Sequence, residues 1–148
     1  MADEWRAVPG FEGLYEVSCS GKIDQLARKV RRKGRGVEAE RVTLRTKPSR
    51  DGYCYVGLVK DGIVKRTTVH RVVALAFIPN PDGLDEVNHM DEDKSNNHVT
   101  NLEWCTRKYN ANYGTNRERQ VRTMLDNREK RKQNPLYAKV VSRGHLAM

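Results

Sequence analysis

Residues 86–110 read EVNHMDEDKSNNHVTNLEWCTRKYN, and two features of this stretch stand out. A short β-capable run, residues 86–90, is followed by a polar turn and a second short run near residues 102–104. Residues 105–111 then suit a helix, with Thr106 as its cap. Asparagine is unusually frequent around it: Asn80, Asn88, Asn96, Asn97, Asn101, Asn110 and Asn112 all fall between residues 79 and 114. Asn and Asp favour turns and caps over regular elements. If the two runs pair as a hairpin with the helix packed behind, Asn88, His89, Asn101 and Asn110 face one cavity. An imidazole there can take a proton near neutral pH. Carboxamide oxygens from Asn88 and Asn110 are hard ligands, suited to Mg²⁺ or Mn²⁺ rather than Zn²⁺. Two neutral ligands bind a cation weakly, so phosphate oxygens of a substrate would have to complete its shell.

Upstream, residues 53–59 alternate in parity, Lys60-Asp61-Gly62 is a tight-turn signal, and residues 63–69 pair back. From residue 70 the apolar positions Val72, Val73, Leu75, Ala76 and Phe77 recur at helical spacing. This predicts a short helix over residues 70–77, stopped by Pro79. Nearer the start, residues 15–18 and 22–25 form a predicted hairpin around Ser20-Gly21. Residues 28–36 lack apolar periodicity and read as an exposed loop or arm. Residues 116–132 read as a charged helix. The last sixteen residues carry little signal, and 144–148 are expected to be disordered.

The chain has 148 residues and a net charge of +9, with Lys and Arg at 28 against 19 Asp and Glu. Such a length makes one compact domain or two very small ones, with a modest core. No run of eighteen apolar residues exists, which predicts no membrane span, and the start does not read as a secretory leader. Cys19, Cys54 and Cys105 are too scattered for a disulfide framework or a thiolate zinc site, which points to a reducing cytoplasm. Charge is distributed in blocks. Between residues 28 and 50, ten basic residues face only Glu38 and Glu40. Between 107 and 132, nine face Glu118, Asp126 and Glu129. The intervening stretch, 82–103, carries seven acidic residues against Lys94. Two basic blocks on so short a chain point to a polyanion, because each phosphate neutralised by Lys or Arg releases counterions. The acidic stretch between them suits a place where a cation sits.

Three pieces in order, HRVVALAFIPNP, VNHMDEDKSNN and NLEWCTRKYN, resemble the HNH endonucleases and their ββα-metal (His-Me finger) site. The preceding WRAVPGFEGLYEVSCSGKIDQL resembles the small DNA-associated modular segment found before this catalytic part in phage and homing-type nucleases. The resemblance implies an α+β fold in three parts: a β-rich segment with a basic arm (1–50), a nuclease core (51–114), and a basic helix and tail (115–148). It implies a metal-dependent endonuclease acting on double-stranded DNA, from a phage or mobile element, as a monomer that nicks or a homodimer that cuts both strands. His89 would be the general base, Asn88 and Asn110 would ligate one divalent ion, Mg²⁺ first and Mn²⁺ second, and Asn101 would orient His89 through its other ring nitrogen or the surrounding turn. Arg28, Lys29, Arg31, Arg32, Lys33 and Arg35, with Arg107, Lys108, Arg117 and Arg119, would contact DNA. The chain departs from the family in having Asn88 where many relatives carry Asp or His. It also has Asp91-Glu92 where their turn often reads Asp-Gly, so Glu92 would strain or alter a turn needing positive φ.

Plainer readings apply elsewhere. His70 sits on an apolar segment and is expected to tie the helix to the catalytic hairpin. Asp91 and Asp93 are expected to cap the turn, Asn96 and Asn97 to bond backbone groups, His98 to face solvent, His145 to do nothing, and Cys105 to be a small buried hydrophobe. A non-catalytic DNA-binding protein on the same scaffold and an RNA-binding protein are the competing readings.

Overall fold

The computed structural model describes residues 2–133, and it separates into two compact units, one ending at Arg107 and the other beginning at Lys108.

The first unit begins with a four-stranded sheet ordered β1-β2-β3-β6. Its strands are β1 (Trp5–Ala7), β2 (Tyr15–Ser18), β3 (Ile23–Gln25) and β6 (Val42–Thr43). The β2–β3 hairpin turns at Gly21, whose φ of +89° only glycine holds without strain. Tyr15, Val17 and Ile23 are fully enclosed beneath this sheet. Asp24 is buried too, where it accepts from Thr43 Oγ1 (2.7 Å) and Arg41 Nε (2.7 Å).

Between β3 and β6 the chain leaves the sheet as a separate two-stranded ribbon, β4 (Arg28–Arg32) and β5 (Arg35–Ala39). The sequence suggests an irregular arm, and the structure corrects this. Lys33 and Gly34 both have positive φ, 49° and 77°, as a two-residue hairpin turn of the kind that matches strand twist requires. Val30 pairs opposite Val37. One valine per strand among so many charges is too weak an alternation to show in the sequence.

The next pair, β7 (Tyr55–Lys60) and β8 (Ile63–Thr68), turns at Asp61-Gly62 as expected and buries Val56 and Leu58. Tyr15 Oη accepts from the Val59 amide at 3.0 Å, joining this hairpin to the amino-terminal sheet. Helix α1 (Val69–Phe77) follows directly. Its buried face is Val69, His70, Val72, Val73 and Ala74, and Pro79 lies just beyond its end. Each enclosed valine contributes roughly 1.5–3 kcal/mol relative to exposure. The core therefore joins the amino-terminal sheet, the β7–β8 hairpin and α1.

Strands β9 (Glu86–His89) and β10 (Leu102–Cys105) form an antiparallel pair, with a 3₁₀ turn (Val99–Asn101) leading into β10. Val87 and Leu102 point into the core, and Trp104 Nε1 donates to the Ile78 carbonyl at the end of α1 (3.0 Å). Helix α2 (Arg107–Asn112) starts two residues after β10, so strand, strand and helix follow the predicted order. The second unit takes in most of α2 and α3 (Asn116–Gln133), which has no buried residue. Residues 144–148 and His145 lie outside the described residues. Among the described residues no helix is long and apolar enough to cross a membrane.

Candidate active site

Asn88 and His89 are the last two residues of β9. Both are buried, at 4% and 5% exposure. Burial of a polar side chain costs free energy unless its hydrogen bonds are met. Here the partners are specific.

Asn97 Oδ1 lies 3.2 Å from His89 Nε2. The Asn97 amide group is itself held, because Nδ2 donates to the Ser95 carbonyl (3.2 Å). Its oxygen therefore faces the ring and can only accept. His89 must donate from Nε2–H, which leaves the Nδ1 lone pair as the ring's proton acceptor. Burial pushes the His89 pKa down from 6.5, against the upward pull of Asn97, Asp91 and Asp93. The ring is thus neutral at physiological pH.

Asn101 acts one layer further out. Its Oδ1 accepts from the Asp91 amide (3.0 Å), and its Nδ2 donates to Asp91 Oδ1 (2.8 Å) and the Asn96 carbonyl (2.9 Å). It fixes the turn after His89, while Asn97 touches the ring. Asp91 also accepts from Asn96 Nδ2 (2.7 Å), and Asp93 accepts from the Ser95 amide (2.9 Å) and hydroxyl (2.6 Å). Both carboxylates are spent on the turn, and these bonds hold their pKa values below 3.8. Glu92, in the same turn, has φ +63°, the strained geometry expected from its place in the sequence.

The amino-terminal sheet reaches this turn. A Cβ on Gly21 would stand 2.9 Å from the Asn97 Cβ, and the Val99 amide donates to the Cys19 carbonyl (2.8 Å). The β2–β3 turn thus buttresses the residue that holds the His89 ring. The sequence gives Asn97 only a loop-holding role. The curl of the turn, which a polar stretch without periodicity does not reveal, brings it to the imidazole.

On the other side of His89 lies an aromatic cluster. The His70 ring meets it edge-on at 4.8 Å, and Tyr53 is 5.2 Å from His70 and 6.0 Å from His89. His70 therefore does link α1 to the β9–β10 hairpin, by ring packing. Its Nδ1 is buried with no hydrogen-bond partner. Burial, with help from His89 and Arg71, pushes its pKa down to about 3. Lys94 Nζ sits 4.5 Å over the Tyr53 ring.

Asn88 Nδ2 donates to Glu103 Oε1 across the strand pair at 2.8 Å. Asn110 stands in α2, within the second unit. Among the described residues no three His, Cys, Asp or Glu gather as a metal cluster. The NH₂ of Asn88 is committed to Glu103, which leaves Oδ1 as the oxygen acceptor of its carboxamide. His98 Nδ1 accepts from the Thr100 amide and caps the 3₁₀ turn.

Of the basic residues singled out in the sequence, Arg28, Lys29, Arg31 and Arg32 lie along β4, Lys33 is in its turn and Arg35 opens β5. Arg32 stands directly opposite Arg35. Arg107 and Lys108 begin α2, and Arg117 and Arg119 lie in the first turn of α3.

Comparison with known proteins defines the class. Residues 67–112 match the HNH endonuclease family and residues 3–59 the NUMOD4 motif, so the chain carries an HNH endonuclease domain behind a NUMOD4 motif. It is homologous to the DNA endonuclease I-HmuI of Bacillus phage SP01, at 37% identity over 73% of this chain and 55% of that protein. The solved structure of DNA binding and cleavage by the HNH homing endonuclease I-HmuI aligns with a TM-score of 0.57 at 32% identity, covering 95% of this chain and 66% of that one. An uncharacterised HNH endonuclease of Acanthamoeba polyphaga mimivirus is 45% identical over 45% of this chain and 20% of its own length. The chain thus spans about half or less of the length of these curated relatives.

Proposed function

We propose that this chain is a metal-dependent endonuclease that hydrolyses phosphodiester bonds of double-stranded DNA. The observation that carries the reading is the His89–Asn97 contact. A buried, neutral imidazole whose Nε2–H is fixed presents Nδ1 as a general base. In the reaction His89 Nδ1 takes a proton from water as the water oxygen bonds to phosphorus and the P–O3′ bond breaks, the departing 3′ oxygen taking its proton from solvent. Asn97 keeps the ring in the productive tautomer, and Asn101 keeps the turn that carries both. Asn88 and Asn110 would hold one divalent ion, Mg²⁺ or Mn²⁺, whose chemistry when bound is to stabilise charge on the phosphoryl oxygens and the leaving 3′ oxygen. The products are 5′-phosphate and 3′-hydroxyl ends.

The β4–β5 ribbon supports duplex DNA as the partner. Like charges directly opposite in a strand pair are destabilising, and Arg32, Lys33 and Arg35 crowd one tip. A phosphate backbone relieves that repulsion. One molecule bound to one strand nicks; two cut both strands.

Incubation of supercoiled plasmid with the chain and Mg²⁺ or Mn²⁺ tests the reading. Nicked circles should appear, EDTA should abolish them, and His89→Ala should lower the rate by about 10²–10⁴-fold, the usual worth of a general base. A His89→Ala protein that nicks as fast as the parent contradicts it. A parent that binds the plasmid without cutting it returns the non-catalytic reading.

A further inference from the structure

Glu103 belongs to none of the roles above, yet it accepts a hydrogen bond from the Asn88 side chain. Register explains why the two meet: Glu103 stands directly opposite Asn88 on the paired strand, so both side chains emerge on the same face of the hairpin. Asn88 is buried and Glu103 is half-buried, which shields the bond from water.

A carboxamide has a donor end and an acceptor end of nearly the same shape, and a half-turn about its last bond exchanges them. Only the oxygen end serves a cation. A carboxylate accepts and never donates. Glu103 therefore pins the NH₂ of Asn88 to its own side and leaves Oδ1 as the end presented away from it. Glu103 also adds what an amide lacks, a full negative charge one hydrogen bond away. The other carboxylates near His89, those of Asp91 and Asp93, are turned into their own turn by Asn96, Asn101 and Ser95.

We propose that Glu103 is the positioning residue of the metal site: Asn88 supplies the oxygen, and Glu103 supplies its orientation and the charge. The inference rests on the reading of Asn88 as a ligand given above. Partners that orient ligating groups typically carry a 10–100-fold effect on metal affinity.

Mn²⁺ binding to the full chain in complex with a duplex oligonucleotide, whose phosphates complete the shell, tests this without reading cleavage, as loss of the free-ion EPR signal on titration beyond that of the DNA alone. Circular dichroism and Tm in EDTA confirm that each variant is folded. Glu103→Gln keeps the shape and removes the charge. Its apparent Kd for Mn²⁺ should weaken by about tenfold or more, and Glu103→Ala, which also frees the Asn88 amide to turn, by at least as much. The double variant Asn88→Asp/Glu103→Gln moves the charge to position 88 and should recover affinity to within a few-fold of the parent. That rescue would not follow if Glu103 merely supported the hairpin. Folded Glu103→Gln and Glu103→Ala proteins that bind Mn²⁺ like the parent overturn the proposal. If Asn88→Ala abolishes Mn²⁺ binding in that same experiment, the ligand reading stands and only the role of Glu103 falls. If the parent and Asn88→Ala titrate alike, the ligand reading fails and takes this inference with it.

Discussion

Asn97 is held from several sides in the turn that follows β9. Its amide touches the Ser95 carbonyl on one side and the His89 ring on the other, and a glycine at position 21 makes room for it, since a Cβ there would stand 2.9 Å from its own Cβ. Asn97→Ala should therefore leave the fold intact but free the ring to adopt the other tautomer. The expected result is a loss of about 10–100-fold in kcat with little change in DNA affinity, within the range that orientation of a general base contributes. Equal kcat values would strip Asn97 of this role. Glu92 offers the opposite experiment. A side chain at φ +63° costs roughly 1–2 kcal/mol, so Glu92→Gly should stabilise the chain. Part of that gain is lost to the greater freedom of glycine in the unfolded state, leaving about 0.5–1 kcal/mol by urea denaturation. The sequence flags Glu92 because the equivalent turn position is so often glycine in relatives. It does not flag Asn97, because a hydrogen bond between residues eight apart in a turn leaves no periodic trace.

Among the elements, those with strong alternation or helical spacing are legible. The β7–β8 hairpin, the strand β9 and the helices α1 and α3 fall within a residue or two of their expected bounds. Short strands that depend on a partner elsewhere in the chain, β1 and β6, are not: three residues and two carry no pattern of their own. The β4–β5 ribbon is hidden for another reason. Charged side chains occupy both faces of β4, on one side Arg28 and Arg32 around Val30, on the other Lys29 and Arg31. Such a ribbon has little reason to be stable alone and every reason to meet an anion. Replacing Arg32, Lys33 and Arg35 together by Ala should reduce the slope of log Kobs against log salt for duplex DNA by roughly 2–3, near 0.9 for each phosphate no longer neutralised. An unchanged slope would place the DNA-binding surface elsewhere.

For the molecule as a whole, acid sensitivity follows from what it buries. In the native state His70 titrates at about 3, against 6.5 when exposed. Above pH 6.5 neither state binds that proton and the stability is fully present. Between pH 6.5 and about 3 the unfolded chain binds it and the native chain does not, so acidification favours unfolding. His89 acts in the same direction, its pKa lowered chiefly by burial. Asp24 extends the loss below 3.8. Burial opposes its charge, but Thr43 and Arg41 outweigh that and lower its pKa. Urea midpoints should therefore fall between pH 7.5 and pH 5, and His70→Phe should fall less. A variant as acid-sensitive as the parent would mean that His70 is charged at little cost. The same shifts bear on activity: with its pKa below 6.5, the His89 base is ready at neutral pH, and cleavage should decline only on acidification below that value.

The proposed chemistry depends on carboxamides distant in the chain holding an ion beside a histidine that activates water. Anomalous difference density from Mn²⁺, in crystals of the His89→Ala chain with duplex DNA, would locate that ion. One peak is expected, with the Asn88 and Asn110 Oδ1 atoms both within about 2.0–2.6 Å of it. A peak coordinated by other side chains, with both amides remote from it, would refute the arrangement.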